Sequence, residues 1–175
     1  MSDNAELPDL RTVADYQFGA GAGVALFPAD EDVRISRSTS GRPRQIHAEG
    51  APVTGAEQAD DRVVSYSTDG RFTLGLAGGR RLAAALDAPA GRVVVGDESE
   101  PFVREGKNVF AKFVRAVDPD VRPGDEVAVV RGGAASDEGR EESVLGVGRA
   151  ELSASGMLDF ETGMAVKTRQ GAGDD

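Results

Sequence analysis

The segment Phe102-Val-Arg-Glu-Gly-Lys-Asn-Val-Phe-Ala-Lys-Phe-Val114 changes its pattern halfway along. Glu98 to Glu105 reads as one or two helical turns, and Gly106 closes them because glycine tolerates positive φ. From Asn108 to Val117 the residues favour a β-strand, with Val109, Phe110, Phe113, Val114 and Val117 supplying apolar and aromatic side chains. A helix that turns through glycine directly into a strand leaves Lys107 and Asn108 at an exposed corner.

Reading outward, more strands appear on both sides. Arg92-Val-Val-Val95 precedes the segment as a short apolar strand, and Asp118-Pro-Asp-Val-Arg-Pro-Gly124 follows it as a loop. Asp125-Glu-Val-Ala-Val-Val130, Val144 to Ala150 and Met164 to Arg169 read as further strands. Arg131 to Glu142 is rich in Gly, Asp and Glu and reads as a mobile connection. Ser153 is placed to cap a short helix from Ala154 to Phe160. Five short strands with small helices at two connections predict a closed or half-closed barrel over residues 91–171, followed by a frayed tail at 172–175.

Residues 1–90 read differently. Leu10, Val13, Ala14 and Phe18 recur at helical spacing after Pro8, and Val24 to Pro28 forms a second short helix. Val33, Ile35 and Ile46 flank Gly41-Arg-Pro43 as a hairpin. Arg62 to Tyr66 and Arg71 to Leu76 flank Asp69-Gly70, a dipeptide suited to a tight turn. A helix from Gly78 to Leu86 ends at Asp87-Ala-Pro-Ala-Gly91, which sets the domain boundary near residue 90. The predicted class is α+β, a small helix-plus-antiparallel-sheet module followed by the barrel.

Composition removes several kinds of chemistry. The 175 residues contain no cysteine and one histidine, His47, so thiol nucleophiles, thiolate zinc sites and His-rich metal sites are excluded. No cofactor or catalytic residue is expected. Paired acids such as Asp60-Asp61 and Glu141-Glu142 lie in polar stretches and read as hydration sites. Gly19-Ala-Gly-Ala-Gly23 lacks the lysine of a phosphate loop. No apolar run approaches the roughly 20 residues of a membrane span, and the acidic amino terminus is unlike a secretory signal, so a cytoplasmic chain is expected. The net charge of −10 opposes phosphate binding in general. Lysine occurs only at 107, 112 and 167 against 17 arginines and 30 acids, a balance resembling that of proteins from salt-loving archaea, where the local position of cations matters more than net charge.

The residues from Phe102 to Val114, with Arg122-Pro-Gly-Asp-Glu-Val127, Val147-Gly-Arg-Ala150 and Met164-Ala-Val-Lys167, resemble the PUA domain in order and spacing. Asp15 to Gly21, Ala25 to Pro28, Ser38 to Arg42 and Gly70 to Gly75 resemble the small module that precedes it in the archaeal tRNA-guanine (archaeosine) transglycosylase family. The resemblance spans about residues 9 to 171. That family's chemistry belongs to a TIM barrel of about 250 residues, too large for this chain. The resemblance thus implies its RNA-binding portion as a separate, non-catalytic chain, and it places Gly106, Lys107, Asn108 and Val109 at the RNA.

Other cations extend that surface. Lys112 lies five residues past Lys107, and Phe110 shares its strand face, where a core position is expected for the ring. Lys167 and Arg169 share one face of the last strand, beside Gly148 or Arg149 once the barrel closes, and Arg149 is counted with them as a candidate contact. Arg34, Arg37, Arg42 and Arg44 lie with His47 in an acid-free hairpin from Val33 to Ala48, a possible secondary RNA contact. The expected function is binding of structured RNA such as tRNA by shape and phosphate contact, assisting tRNA modification in trans, with no membrane partner. The alternatives are a protein–protein adaptor in RNA processing or ribosome assembly, and a non-catalytic subunit of a tRNA-modifying enzyme.

Overall fold

The computed structural model describes residues 6–48, 62–132 and 142–173. Most of the expected 131–142 loop, the Asp60-Asp61 pair, Glu141 and the last two residues of the tail lie outside the described residues. The chain divides into two compact units, Met1–Leu86 and Asp87–Asp175. It is an α+β protein, with helices on a small antiparallel sheet in the first unit and a barrel-like sheet in the second. Among the described residues no helix is long and apolar enough to cross a membrane.

In the first unit, α1 (Leu7–Phe18) and α2 (Ala22–Leu26) precede β1 (Val33–Arg37), β2 (Pro43–Ala48), β3 (Arg62–Tyr66), β4 (Phe72–Leu74) and α3 (Leu76–Ala85). The four strands form an antiparallel meander in chain order. Ile35 pairs with Ile46 and Ile46 with Val64, so one sheet face is apolar and buried. The turn between α1 and α2 is tied by Asp15, whose Oδ1 accepts from the Gly23 amide at 2.7 Å. Gln17 meets the edge strand with its side-chain amide, donating to the Phe72 carbonyl and accepting from the Phe72 amide, both at 2.7 Å. This replaces the missing strand neighbour at Phe72 and positions α1.

The second unit contains β5 (Arg92–Val95), α4 (Glu100–Arg104), β6 (Val109–Phe110), β7 (Val114–Val117), β8 (Glu126–Arg131), β9 (Ser143–Ala150), α5 (Ala154–Asp159) and β10 (Met164–Gly171). The strand order is β6-β10-β9-β8-β5-β7, with β5 parallel to β8 and the other pairs antiparallel. Six strands stand where five were expected, because a 3-10 turn at Ala111–Phe113 splits the 108–117 segment. β6 then pairs with β10 at one edge and β7 with β5 at the other. Four residues span about 14 Å at full extension, so the two edges must approach and the sheet curls toward closure.

The barrel core takes Val93 and Val95 from β5, Val127 and Val129 from β8, Leu145 from β9, Ala165 and Val166 from β10, and Met157 from α5. Val94, Ala128 and Val130 form a second cluster with Ala116 and Val144. Apolar packing on both sheet faces explains why β5 reads as an unbroken valine run. Ser153 caps α5 as expected, its Oγ accepting from the Gly156 amide at 3.1 Å. Glu142 is more than a hydration site, since its carboxylate lies 2.8 Å from Nε of the buried Arg92. The expected fray does not begin at 172, because Ala172 donates to Leu145 O and Gly173 to Arg104 O, each at 2.8 Å.

Leu145 is fully buried, and Leu145→Ala is expected to cost about 2–5 kcal/mol in urea unfolding followed by circular dichroism. At Gly171 an added Cβ would meet Arg104 O at 2.3 Å and Gly106 N at 2.6 Å. Gly171→Ala is therefore expected to lose about 1–3 kcal/mol by the same measurement, despite being a one-methyl change in a half-buried residue.

Candidate nucleic-acid interface

The corner after α4 is built by backbone hydrogen bonds. The Lys107 amide donates to Phe102 O at 3.0 Å, and the Gly106 amide donates to Val103 O at 2.9 Å. Those two bonds and a φ of +91° at Gly106 form a Schellman termination, which favours glycine at that position. Both amides are thereby used internally. What Gly106 offers a ligand is close access, not N–H donation.

Arg104 anchors the helix beneath this corner. It donates to Glu100 at 2.9 Å, to Gly173 O at 3.2 Å and to Ser143 Oγ at 3.1 Å, while Arg131 lies 2.8 Å from the other Glu100 oxygen. Helix, last strand and corner are thus held by one ionic network. From the other side, Asn108 Oδ1 accepts from the Thr168 amide at 3.0 Å, where the β9–β10 register shifts. That bond joins the corner to the strand carrying Lys167 and Arg169.

The structure sorts the expected contact residues. Lys107 is exposed and makes no ion pair among the described residues. Val109 is 2% exposed and belongs to the barrel core, so its side chain is withdrawn from any ligand. Phe110, expected in the core, is 46% exposed. The strand breaks immediately after it, and Val109 takes the inward position. The same 3-10 turn cancels the alternation that placed Phe110 and Lys112 on one strand face. The Lys112 ammonium instead lies over the Phe113 ring, 5.0 Å from its centroid.

Phe102, Phe110 and Phe113 line a groove of about 370 Å³ together with Glu98, Ser99, Lys107 and Asn108, floored by Val103 and Val109. Phe102, Phe113 and Glu98 were missed from sequence. The available signal was the Phe102-Val103 pair, since a five-residue helix can turn only one of two adjacent apolar residues inward, and Val103 is the buried one.

On the last two strands Lys167 stands opposite Arg149. With Thr168 and Arg169 they line a shallow depression of about 220 Å³. Arg149 pairs with Glu151 at 3.0 Å, and Arg169 with the nearly buried Glu126 at 2.5 Å. Lys167 is exposed with no ion pair among the described residues. In the first unit, Arg37 binds Glu6 at 2.8 Å and Gly41 O at 3.1 Å. Arg42 stacks 4.7 Å from the Tyr66 ring centroid and donates to Tyr66 O and Ser67 O. These two arginines brace the hairpins. Arg34 faces His47 across β1 and β2, and Arg44 is exposed. Among the described residues no cluster of His, Asp or Glu could hold a metal ion.

Residues 8–89 match the family model of the patch-forming domain C2 of tRNA-guanine transglycosylase, and residues 91–172 that of the PUA domain. The chain is 44% identical over 168 residues to the tRNA-guanine(15) transglycosylase of Methanothermobacter thermautotrophicus, a match covering 95% of this chain and 23% of that protein. It is 41% identical over 162 residues to the Pyrococcus furiosus transglycosylase, covering 93% of this chain and 24% of the relative. The chain therefore spans about a quarter of the length of the curated relatives it matches. Its fold is shared by a PUA domain structure from Aeropyrum pernix, with a TM-score of 0.65 at 21% identity, covering 99% of this chain and 85% of that one. The two family models meet at residues 89–91, beside the boundary between the compact units, and the chain belongs to the PUA-domain proteins, with a C2 domain ahead of the PUA domain as in the carboxy-terminal part of archaeal tRNA-guanine transglycosylases.

Proposed function

We propose that this chain binds structured RNA, with tRNA as the first candidate, through the corner and groove of its PUA domain, and that it lends this affinity to a tRNA-modifying enzyme without contributing catalytic residues. The observation that carries this reading is the juxtaposition at Gly106–Phe110. An exposed lysine, unpaired among the described residues, stands beside an aromatic groove of about 370 Å³, within the roughly 300–1,000 Å³ of ligand pockets. Lysine suits a phosphate, and exposed phenylalanines suit an unstacked base. Lys167, joined to the corner through Thr168 and Asn108, supplies a second cation that is unpaired among the described residues. The PUA family and the transglycosylase relatives support RNA as the ligand.

A second reading, a protein–protein adaptor, has its own support in the first unit. There Tyr16 is 95% exposed beside an open groove of about 610 Å³ that also involves Val13, Gln17 and Arg71. The acid-rich, lysine-poor composition further fits a cytoplasm loaded with salt, where a charge of −10 is screened.

In filter binding of tRNA across a salt series, a Lys107→Ala, Lys167→Ala double variant is expected to bind about tenfold more weakly and to lose about 2 from the slope of log K against log salt. Wild-type and variant curves that coincide would remove this site, and absence of wild-type binding would move the assignment to the adaptor. The melting temperature is expected to rise by several degrees between about 0.1 M and about 2 M KCl as self-repulsion is screened. A flat profile in differential scanning calorimetry would remove the salt-adapted reading.

A further inference from the structure

Glu98 is out of place in a groove meant for RNA. It lines the same groove as Lys107, Asn108 and the exposed rings of Phe102 and Phe110. A carboxylate there repels phosphate, so the groove would bind an RNA backbone better without it. Its structural contribution is small. Glu98 Oε1 accepts from Arg115 at 2.6 Å, but both side chains are about half exposed, and surface pairs of this kind stabilise little. Glu98 Oε2 makes no hydrogen bond among the described residues. It leans over Gly96, where an added Cβ would lie 2.5 Å from that oxygen. Gly96 has an ordinary extended backbone, so its lack of a side chain makes room for the carboxylate and is not required by φ.

The groove therefore presents an acceptor with a vacant lone pair. It also presents donors. Asn108 commits its Oδ1 to the Thr168 amide, an assignment fixed by that amide's need for an acceptor, and its two N–H groups make no hydrogen bond among the described residues. An acceptor and a donor set beside aromatic rings match the edge of a base that carries an amino group next to a ring acceptor.

We propose that Glu98 is the specificity-determining residue of this groove, accepting a hydrogen bond from the exocyclic amino group of a base seated against Phe102 and Phe110 while Asn108 donates to the same base. The inference rests on the RNA-binding reading and deepens it. An ionised carboxylate is acceptor-only, and cytosine N4 is a donor it can use. Uracil, of the same shape, presents the O4 acceptor at that place and would leave Glu98 facing another lone pair. Amino-bearing bases are therefore selected over uracil at a site whose stacking alone would accept either.

The test is fluorescence anisotropy of the full chain with labelled oligocytidylate and oligouridylate of equal length, alongside tRNA. Wild type is expected to prefer the cytidine oligomer by about fivefold or more. Glu98→Gln is expected to bind both oligomers somewhat more tightly, having lost a negative charge, and to bring their ratio within about twofold. A circular dichroism melt of the variant checks that the fold is kept. Equal wild-type affinities, or a ratio that survives Glu98→Gln, would overturn the role of Glu98 while leaving RNA binding in place. Binding of neither oligomer nor tRNA by wild type would overturn the RNA reading itself.

Discussion

The three-residue turn at Ala111–Phe113 joins the two ends of one sheet. β6 belongs to one edge and β7 to the other, so the chain must cross between them within a handful of residues. This covalent restraint draws the edges together and limits the unpaired strand surface that an open six-stranded sheet would expose. It also fixes where the groove lies. Phe110 is the last residue of one edge and Phe113 belongs to the turn, so neither can follow the in-and-out alternation of a continuous strand. Ala111 alone in the turn is buried. The aromatic side chains are left outside the barrel by the same geometry that closes it.

The candidate interface is held by the core at several points of close approach. Gly171 packs directly on the carbonyls that end α4 and on the Gly106 amide. Asn108 bonds to Thr168, and Arg104 gathers the helix, β9 and the end of the chain. A corner tied in this way offers a ligand a preformed surface, and little ordering entropy remains to oppose binding. The exposed lysines can then act as point charges although the protein as a whole is acidic. At physiological ionic strength the Debye length is about 8 Å, so distant carboxylates are largely screened while a contacting ammonium is not.

Electrostatic role follows partner, not residue type. The seventeen arginines of this chain look like an RNA-binding resource, yet Arg37, Arg42, Arg92, Arg104, Arg131 and Arg169 are engaged with acids or carbonyls of their own units. At the candidate interface, among the described residues, Lys107 and Lys167 are cations left to a partner. Guanidinium, with its five donors in a fixed fork, is suited to bridging strands and loops internally, and lysine with its compact charge and flexible stem is suited to the surface.

Sequence by itself determined the helix–glycine–strand corner, the capped helix after Ser153 and nearly every strand, because each is encoded locally by glycine, proline, capping residues or apolar period. The resemblance carried by Phe102 to Val114 supplied the family, since its order and spacing survive without coordinates. Tertiary structure decided what local pattern cannot carry. The split of 108–117 into two strands depends on pairing with β10 and β5, which lie far apart in sequence, and that split reversed the expected burial of Phe110 and removed Lys112 from its face. Val109 could not be recognised as core from its place in the motif, nor Glu98 as part of the groove from its place in an acidic stretch. Val109 is buried by residues dozens of positions away, such as Val166, and Glu98 meets Lys107 to Phe113 only once helix, corner and turn have folded together, so neither role is a property of the local pattern.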